Sequence, residues 1–227
     1  MIEEILESHG YKLLKAEYSK SFEIIAKLKK EYFIFKRYRN IDLIPKEIAS
    51  DLKNLESFLG AKSFVIGEKT CRNELKDCIY LRRGIKVISS KYFEDFLSGK
   101  IKKIYSFGKE VVKVDFEKLR KIREEKGMSL RTLSNLVGIS KKSLIRIEKG
   151  IEKPTYETYK KLKAVLNTEL SVEILNLEKS NKKVYHFYKT SFYKGILEKE
   201  NKIIFPKENA IEEAKKISKF LKIKMKN

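Results

Sequence analysis

Lys141, Lys142, Arg146 and Lys149 fall within nine residues of one another. On a helix of about 3.6 residues per turn, positions 141, 142 and 146 turn to one outward side. Side chains of this kind suit a polyanion. Lysine neutralises phosphate as a point charge, and arginine or lysine donates to the O6 and N7 acceptors of guanine. Residues for covalent or metal chemistry are sparse by comparison. The chain has two His and two Cys. Cys71 and Cys78 stand seven apart with no His nearby, and His9 and His186 lack ligand partners in sequence. Most zinc architectures and any disulfide framework are thereby excluded. Glycine-rich phosphate loops and Gly-x-Ser-x-Gly elbows are also missing from the sequence. We expect no catalytic residue, no bound metal and no cofactor.

The cations need a rigid element to hold them, and the surrounding residues supply one. Phe116–Lys126 reads as a helix with Leu119 and Ile122 inward, closed by Gly127. Ser129 caps a short helix over Leu130–Val137. Gly138 makes a turn that a Cβ would obstruct, and Ser140 caps the next helix, Lys141–Lys149. Gly150 ends that helix, and Thr155 starts a fourth after Pro154. Two short helices joined by a glycine-containing turn form a helix-turn-helix, whose second helix enters the DNA major groove.

The string MSLRTLSNLVGISKKSLIRIEKGIEKPTYETYKKLKAVL resembles the Cro/C1 repressor family over its whole length. The matches are Leu133-Ser134, Gly138-Ile139-Ser140 at the turn, Ile147-Glu148-x-Gly150, and Pro154. The resemblance implies that Lys141, Lys142 and Arg146 meet base edges. Ser143 and Lys149 are then placed against phosphate, as is the Ser129 region through backbone N–H groups at a helix start, with the Ser140 cap beside the groove. Leu144 and Ile147 are expected in the core, and Glu148 is expected to pair with Arg123 as a structural ion pair. Two positions depart from the family pattern. Leu130 stands where a phosphate-gripping Gln is common, and Ile145 fills a slot that is often polar.

The first hundred residues differ in character. A helix is expected at Met1–Ser8, strands at Tyr11–Tyr18, Phe22–Leu28 and Tyr32–Arg37, and a helix from Pro45 to about Leu59 that Gly60 ends. Strands at Phe64–Ile66 and Ile85–Ile88 and a short helix after Ser90 complete a small α/β domain. The strand and helix order resembles the restriction-endonuclease-like fold. In that fold an acid on one strand and a Glu-x-Lys on the next hold a divalent metal and the attacked phosphate. Glu23 and Lys36 match that pattern, but Ile34 occupies the place of the second carboxylate. An isoleucine cannot ligate a metal, so metal-dependent cleavage is not expected. Lys36 then reads either as a phosphate ligand or as an exposed strand residue near Arg37 and Arg39. Together the two halves resemble a group of archaeal HTH-type transcriptional regulators across most of residues 12–178, the stretch Leu81–Ile88 included.

Residues 99–114 read as a connecting segment with a hairpin near Phe107-Gly108. After Lys182 strands return at Val184–Tyr188, Phe192–Leu197 and Ile203–Phe205, followed by a helix from Glu208 to about Leu221. Ser21-Phe22 precedes Ile34-Phe35 by 13 residues, as Ser191-Phe192 precedes Ile204-Phe205. The last segment is therefore a candidate partial repeat of the first domain, with chance similarity as the competing account. A hairpin and one helix make a small core, so we expect them to pack on another copy or subunit.

The fold class is α+β in three parts: a nuclease-like domain over 1–110, an all-α helix-turn-helix domain over 111–178, and a β-hairpin plus helix over 179–227. The 227-residue chain carries 52 Lys+Arg against 31 Asp+Glu, a formal charge of +21. Cutting at 110 and 170 leaves 23 basic against 16 acidic residues, then 15 against 8, then 14 against 7, or +7 in each piece. Much of the charge is thus a background shared by every part, in a Lys- and Glu-rich, Gln-free composition that fits an AT-rich or heat-adapted genome. No apolar run approaches the roughly 20 residues of a membrane span, and the start, MIEEILESHGYK, does not read as a signal peptide. The expected protein is a cytoplasmic, DNA-associated regulator that binds double-stranded DNA as a homodimer, with no membrane partner and an unidentified protein partner for its first domain. A nuclease targeted by its helix-turn-helix and a DNA-tethered protein-interaction adaptor are the alternatives.

Overall fold

A computed structural model describes residues 2–17, 19, 21–106, 108–172, 196–198, 202–204, 216–217 and 219–221. The chain folds as two compact units. The first takes Met1–Lys76, Leu81–Leu97 and Glu178–Asn227, and the second takes Asp77–Tyr80 and Ser98–Leu177. No helix among the described residues is long and apolar enough to cross a membrane.

The first unit opens with α1 (Ile2–Ser8) and strands β1 (Lys12–Lys15), β2 (Ile24–Leu28) and β3 (Glu31–Asn40). These three pair antiparallel in order, and a tight turn joins β2 to β3. Helix α2 (Lys46–Leu59) then carries the chain over to β4 (Lys62–Lys69), which lies parallel to β3. Pro45 precedes α2, where its missing N–H costs no helical hydrogen bond, and Gly60 ends it at φ +58°. Strand β6 (Ile85–Ser89) pairs parallel with β4. Near-continuous burial along β2, β4 and β6 fits strands covered on both faces. The ring of Phe35 stacks with those of Phe33 and Phe64, and Phe35 and Phe64 meet α3 (Phe93–Leu97), with Phe35 to Phe93 at 5.6 Å and Phe64 to Phe96 at 5.1 Å. Two short 3-10 turns, Ile41–Leu43 and Ser90–Tyr92, lead into α2 and α3.

The elements match the sequence expectation with one addition, the strand β5 (Ile79–Arg82). It is four residues long and lies between polar loops, too short for its alternation to register. Strand β3 also runs longer than expected, to Asn40. Of the late elements, β9 (Ile196–Glu198) and β10 (Lys202–Ile204) form an antiparallel pair. The strand expected at Val184–Tyr188 lies outside the described residues, as do Phe192 and Phe205. Ile217 and Leu221 of the last helix are buried, and the Tyr32 hydroxyl donates to the Phe220 carbonyl at 3.4 Å. These described residues pack within their own chain, where packing on another copy was expected. The aromatic edge of Tyr32 offers Phe220 a ring contact that the small terminal segment cannot make alone.

The second unit holds the four helices α4 (Phe116–Glu125), α5 (Leu130–Val137), α6 (Lys141–Glu148) and α7 (Tyr156–Leu166). Preceding them, β7 (Lys103–Ser106) and β8 (Lys109–Val112) make the expected hairpin, and β7 also pairs parallel with Ile79–Tyr80 of β5. This hairpin is more than a connector. Val112 and Val114 share one core with Leu119, Leu133, Val137, Leu144, Ile147, Leu162 and Leu166. The Val112 N–H donates to the Pro154 carbonyl at 3.0 Å, and the Asp115 N–H donates to the Leu170 carbonyl at 2.9 Å. The strand end is thus stitched to the segments on both sides of α7.

Candidate nucleic-acid interface

Each helix of the second unit starts on the residue that its sequence supplies. The Ser129, Ser140 and Thr155 hydroxyls accept from the backbone N–H three residues on, at 3.0, 3.0 and 3.2 Å. Each bond satisfies one of the four orphan N–H groups at a helix start, a cap that contributes about 1 kcal/mol. Gly138 sits at φ +73°, and both its N–H and that of Ile139 return to the Ser134 carbonyl. That left-handed residue turns the chain sharply from α5 into α6.

The register of α6 follows from what it buries. Leu144 and Ile147 are inside. Glu148 accepts from Arg123 twice, Nε to Oε1 at 2.6 Å and Nη2 to Oε2 at 3.0 Å, while Arg123 Nη1 donates to the Met128 carbonyl at 2.9 Å. The two side chains are 9% and 7% exposed, so this is a satisfied, buried, bidentate pair. It locks α4 to α6. With that side inward, Lys141, Lys142, Arg146 and Lys149 are all exposed, and Ser143 and Ile145 are half-buried. Ser129 and Ser140 are exposed as well, each with its hydroxyl engaged in its cap.

The outer cations differ among themselves. Among the described residues Lys141, Lys142 and Lys149 make no ion pair. Arg146 does: its Nε donates to Glu152 Oε2 at 3.0 Å, with the two side chains 49% and 42% exposed. Gly150, at φ +68°, reverses the chain so that the N–H groups of Ile151 and Glu152 both reach the Arg146 carbonyl, at 2.9 and 3.2 Å. A Cβ at Gly150 would come within 3.0 Å of the Phe116 ring, so a larger residue is disfavoured there by space as well as by torsion. Glu152 was absent from the sequence reading. Its only signal there was an acid six residues after Arg146, just past a helix-ending glycine.

In the first unit the residues matching the nuclease pattern come together in another form. The antiparallel register places Glu23 beside Lys36, and the Glu23 N–H donates to the Phe35 carbonyl at 2.9 Å. Lys36 Nζ lies 3.0 Å from Glu23 Oε1, and Arg37 Nε donates to Oε2 at 2.6 Å. Burial alone would raise the Glu23 pKa, but hydrogen bonds and charge from Arg37 and Lys36 outweigh it and hold the carboxyl below its ordinary range. Both carboxylate oxygens are thereby committed to cations. Ile34 is fully buried, and Lys36 is mostly buried rather than an exposed strand residue. Among the described residues no group of three or more His, Cys, Asp or Glu could hold a metal.

The PD-(D/E)XK superfamily domain matches residues 1–102, and the helix-turn-helix family matches residues 119–172. The chain joins a PD-(D/E)XK domain to a Cro/C1-type helix-turn-helix. The α4–α7 core that surrounds the Arg123–Glu148 pair lies almost wholly inside the second match. The chain is similar to three archaeal relatives, each named "Putative HTH-type transcriptional regulatory protein". With that of Picrophilus torridus it is 36% identical over 68% of this chain and 50% of the relative. With that of Thermoplasma acidophilum it is 32% identical over 69% and 51%, and with that of Pyrococcus horikoshii 33% over 88% and 64%. The chain therefore spans between half and just under two thirds of the length of these relatives. A solved SinR protein/SinI protein complex includes a chain 33% identical to it, covering 29% of this chain and 62% of that one at a TM-score of 0.24. Within the Cro/C1-type module, the resemblance read from Gly138, Ser140, Gly150 and Pro154 coincides with the observed turns and caps.

Proposed function

We propose that the chain is a sequence-specific, double-stranded DNA-binding transcriptional regulator that lays α6 in the major groove. The observation that carries this reading is the outer face of α6, where one arginine and three lysines that make no ion pair among the described residues stand on a helix fixed by caps, glycines and a buried ion pair. Lys141, Lys142 and Arg146 read base edges. Ser143 and Lys149 contact phosphate, with the exposed starts of α5 and α6 at Ser129 and Ser140 offering backbone N–H groups to the same strands. The regulator binds as a homodimer, placing two recognition helices about 34–36 Å apart on half-sites one helical turn from each other. Affinity falls steeply with salt, by about 0.9 log units per phosphate neutralised for each log unit of salt.

Selection of bound fragments from a random duplex pool tests the reading, followed by titration at fixed salt. The double variant Lys142→Ala/Arg146→Ala should bind the selected duplex about 100-fold more weakly, on about 1–3 kcal/mol per lost base contact. Unchanged specific affinity in that variant sinks the assignment. A metal-dependent nuclease is the second reading, favoured by the PD-(D/E)XK match over residues 1–102. Against it stand the isoleucine at 34 and the capture of Glu23 by Lys36 and Arg37. In this reading of the chain the first domain supplies structure, and a protein partner remains its candidate ligand.

A further inference from the structure

The pairing of Arg146 with Glu152 leaves the guanidinium in a defined state. Nε donates to the carboxylate, which ties the Arg146 side chain to the turn that follows α6. Among the described residues Nη1 and Nη2 have no acceptor, and they are the two donors that form a flat fork for the edge of a base. Glu152 is itself held: its own N–H is tied to the Arg146 carbonyl, and Gly150 sets the turn. The turn that ends the helix therefore fixes the backbone from which the Glu152 side chain reaches Arg146. Such an exposed pair contributes little to stability. Its effect lies in what it does to a flexible arginine and to nearby phosphates.

We infer that Glu152 is a positioning residue for base reading, holding Arg146 with its Nη1 and Nη2 fork free for one base pair and repelling the phosphate backbone that would otherwise capture the guanidinium. The inference rests on the proposed major-groove reading by α6. An arginine without this carboxylate can lie along either strand and donate to phosphate, which binds every sequence alike. With it, the competing phosphate contact is opposed by a like charge, and the ordering of the side chain is in place before DNA arrives. Glu152 thus lowers affinity for arbitrary DNA and raises the difference between the right base pair and a wrong one.

The test uses the full chain and three duplexes: one selected by the wild type from a random pool, its set of single base-pair replacements, and a random-sequence duplex. Arg146→Ala first identifies the base pair at which discrimination is lost. Glu152→Ala should lose about tenfold of discrimination at that same base pair and should bind random duplex more tightly, with an unchanged melting temperature. Glu152→Gln, which keeps an acceptor but not the charge, should retain more of the discrimination than Glu152→Ala while sharing the tighter random binding. In the Arg146→Ala background, Glu152→Ala should change no base preference. Discrimination retained within twofold in Glu152→Ala, or lost at a different base pair, overturns the inference while leaving the DNA-binding reading in place. A wild type that selects no sequence overturns both.

Discussion

The inner side of α6 sends Glu148 to Arg123 with both side chains under a tenth exposed, whereas the outer side sends Arg146 to Glu152 with both about half exposed. The chemical types are the same and the physical outcomes are opposite. Inside, two charges removed from water must satisfy each other completely, and they do so through two parallel bonds and a third to a carbonyl. Outside, water screens the pair, so it adds little to stability and acts on where the arginine points instead. One eight-residue helix thus contributes to one ion pair for the fold and another for its surface. The Glu23 cluster of the first unit lies between these cases: two cations converge on one carboxylate at the margin of a buried sheet face.

The widest gap between the two faces should appear in stability. Glu148→Ala leaves the Arg123 guanidinium buried without its acceptor and should cost about 3–5 kcal/mol. Glu152→Ala should cost no more than about 1 kcal/mol. Urea titrations of the two variants side by side measure the difference, and equal losses would erase the distinction drawn here. In DNA binding the order should reverse, as the titrations proposed above read out.

A smaller effect is expected where Glu169 gathers Lys102, Lys163, Tyr159 and Ser171. Burial would raise its pKa, but these hydrogen bonds outweigh that and hold the carboxyl far below the usual carboxylate range, while burial pushes the Tyr159 hydroxyl up to about 12. The sign follows from linkage. A folded pKa below the unfolded value, about 4.3 for glutamate, stabilises the protein above pH 4.3 and loses that contribution as pH falls toward the folded value. With the side chain 40% exposed, solvent screening reduces the contribution to on the order of 1 kcal/mol. Glu169→Gln should therefore flatten the acid limb of thermal stability below about pH 4.3 and leave its shape near pH 8 unchanged. An acid limb identical to that of the wild type would remove Glu169 from this role.

The smallest expected change belongs to the nuclease-like cluster. Glu23→Gln should lower stability by under about 1 kcal/mol, and neither it nor the wild type should nick supercoiled plasmid with magnesium or manganese. Metal-dependent nicking that Glu23→Gln abolishes would reverse the reading of the first domain.

The helical unit was legible because its punctuation is local. Ser129, Ser140, Gly138 and Gly150 each act within four residues, and a cap or a left-handed turn leaves the same trace in sequence as in structure. The pairing of Glu148 with Arg123 came through family resemblance, since nothing local joins residues 25 apart. Glu152 escaped because its place depends on the reversal at Gly150, which a helical period does not describe. Arg37 escaped for a related reason. Strand alternation puts neighbours on opposite faces, yet Glu23 lies just before β2 begins, where the side chains of both Lys36 and Arg37 can reach it. In β5, four residues between loops carry too little pattern to separate strand from coil.

The stitching of β8 to both sides of α7 has a practical meaning for anyone cutting the chain. A fragment beginning at 111 would discard β7 and half of β8, leaving Val112 and the Pro154 carbonyl to hold a single unpaired strand end. Starting at 98 keeps the hairpin but still removes Ile79–Tyr80, baring the ladder edge of β7 on which β5 pairs. Bare ladder edges recruit other strands and aggregate. The helix-turn-helix is therefore modular in its pattern but not in its excision, and a soluble isolated module will need that edge blocked by a charge or a proline.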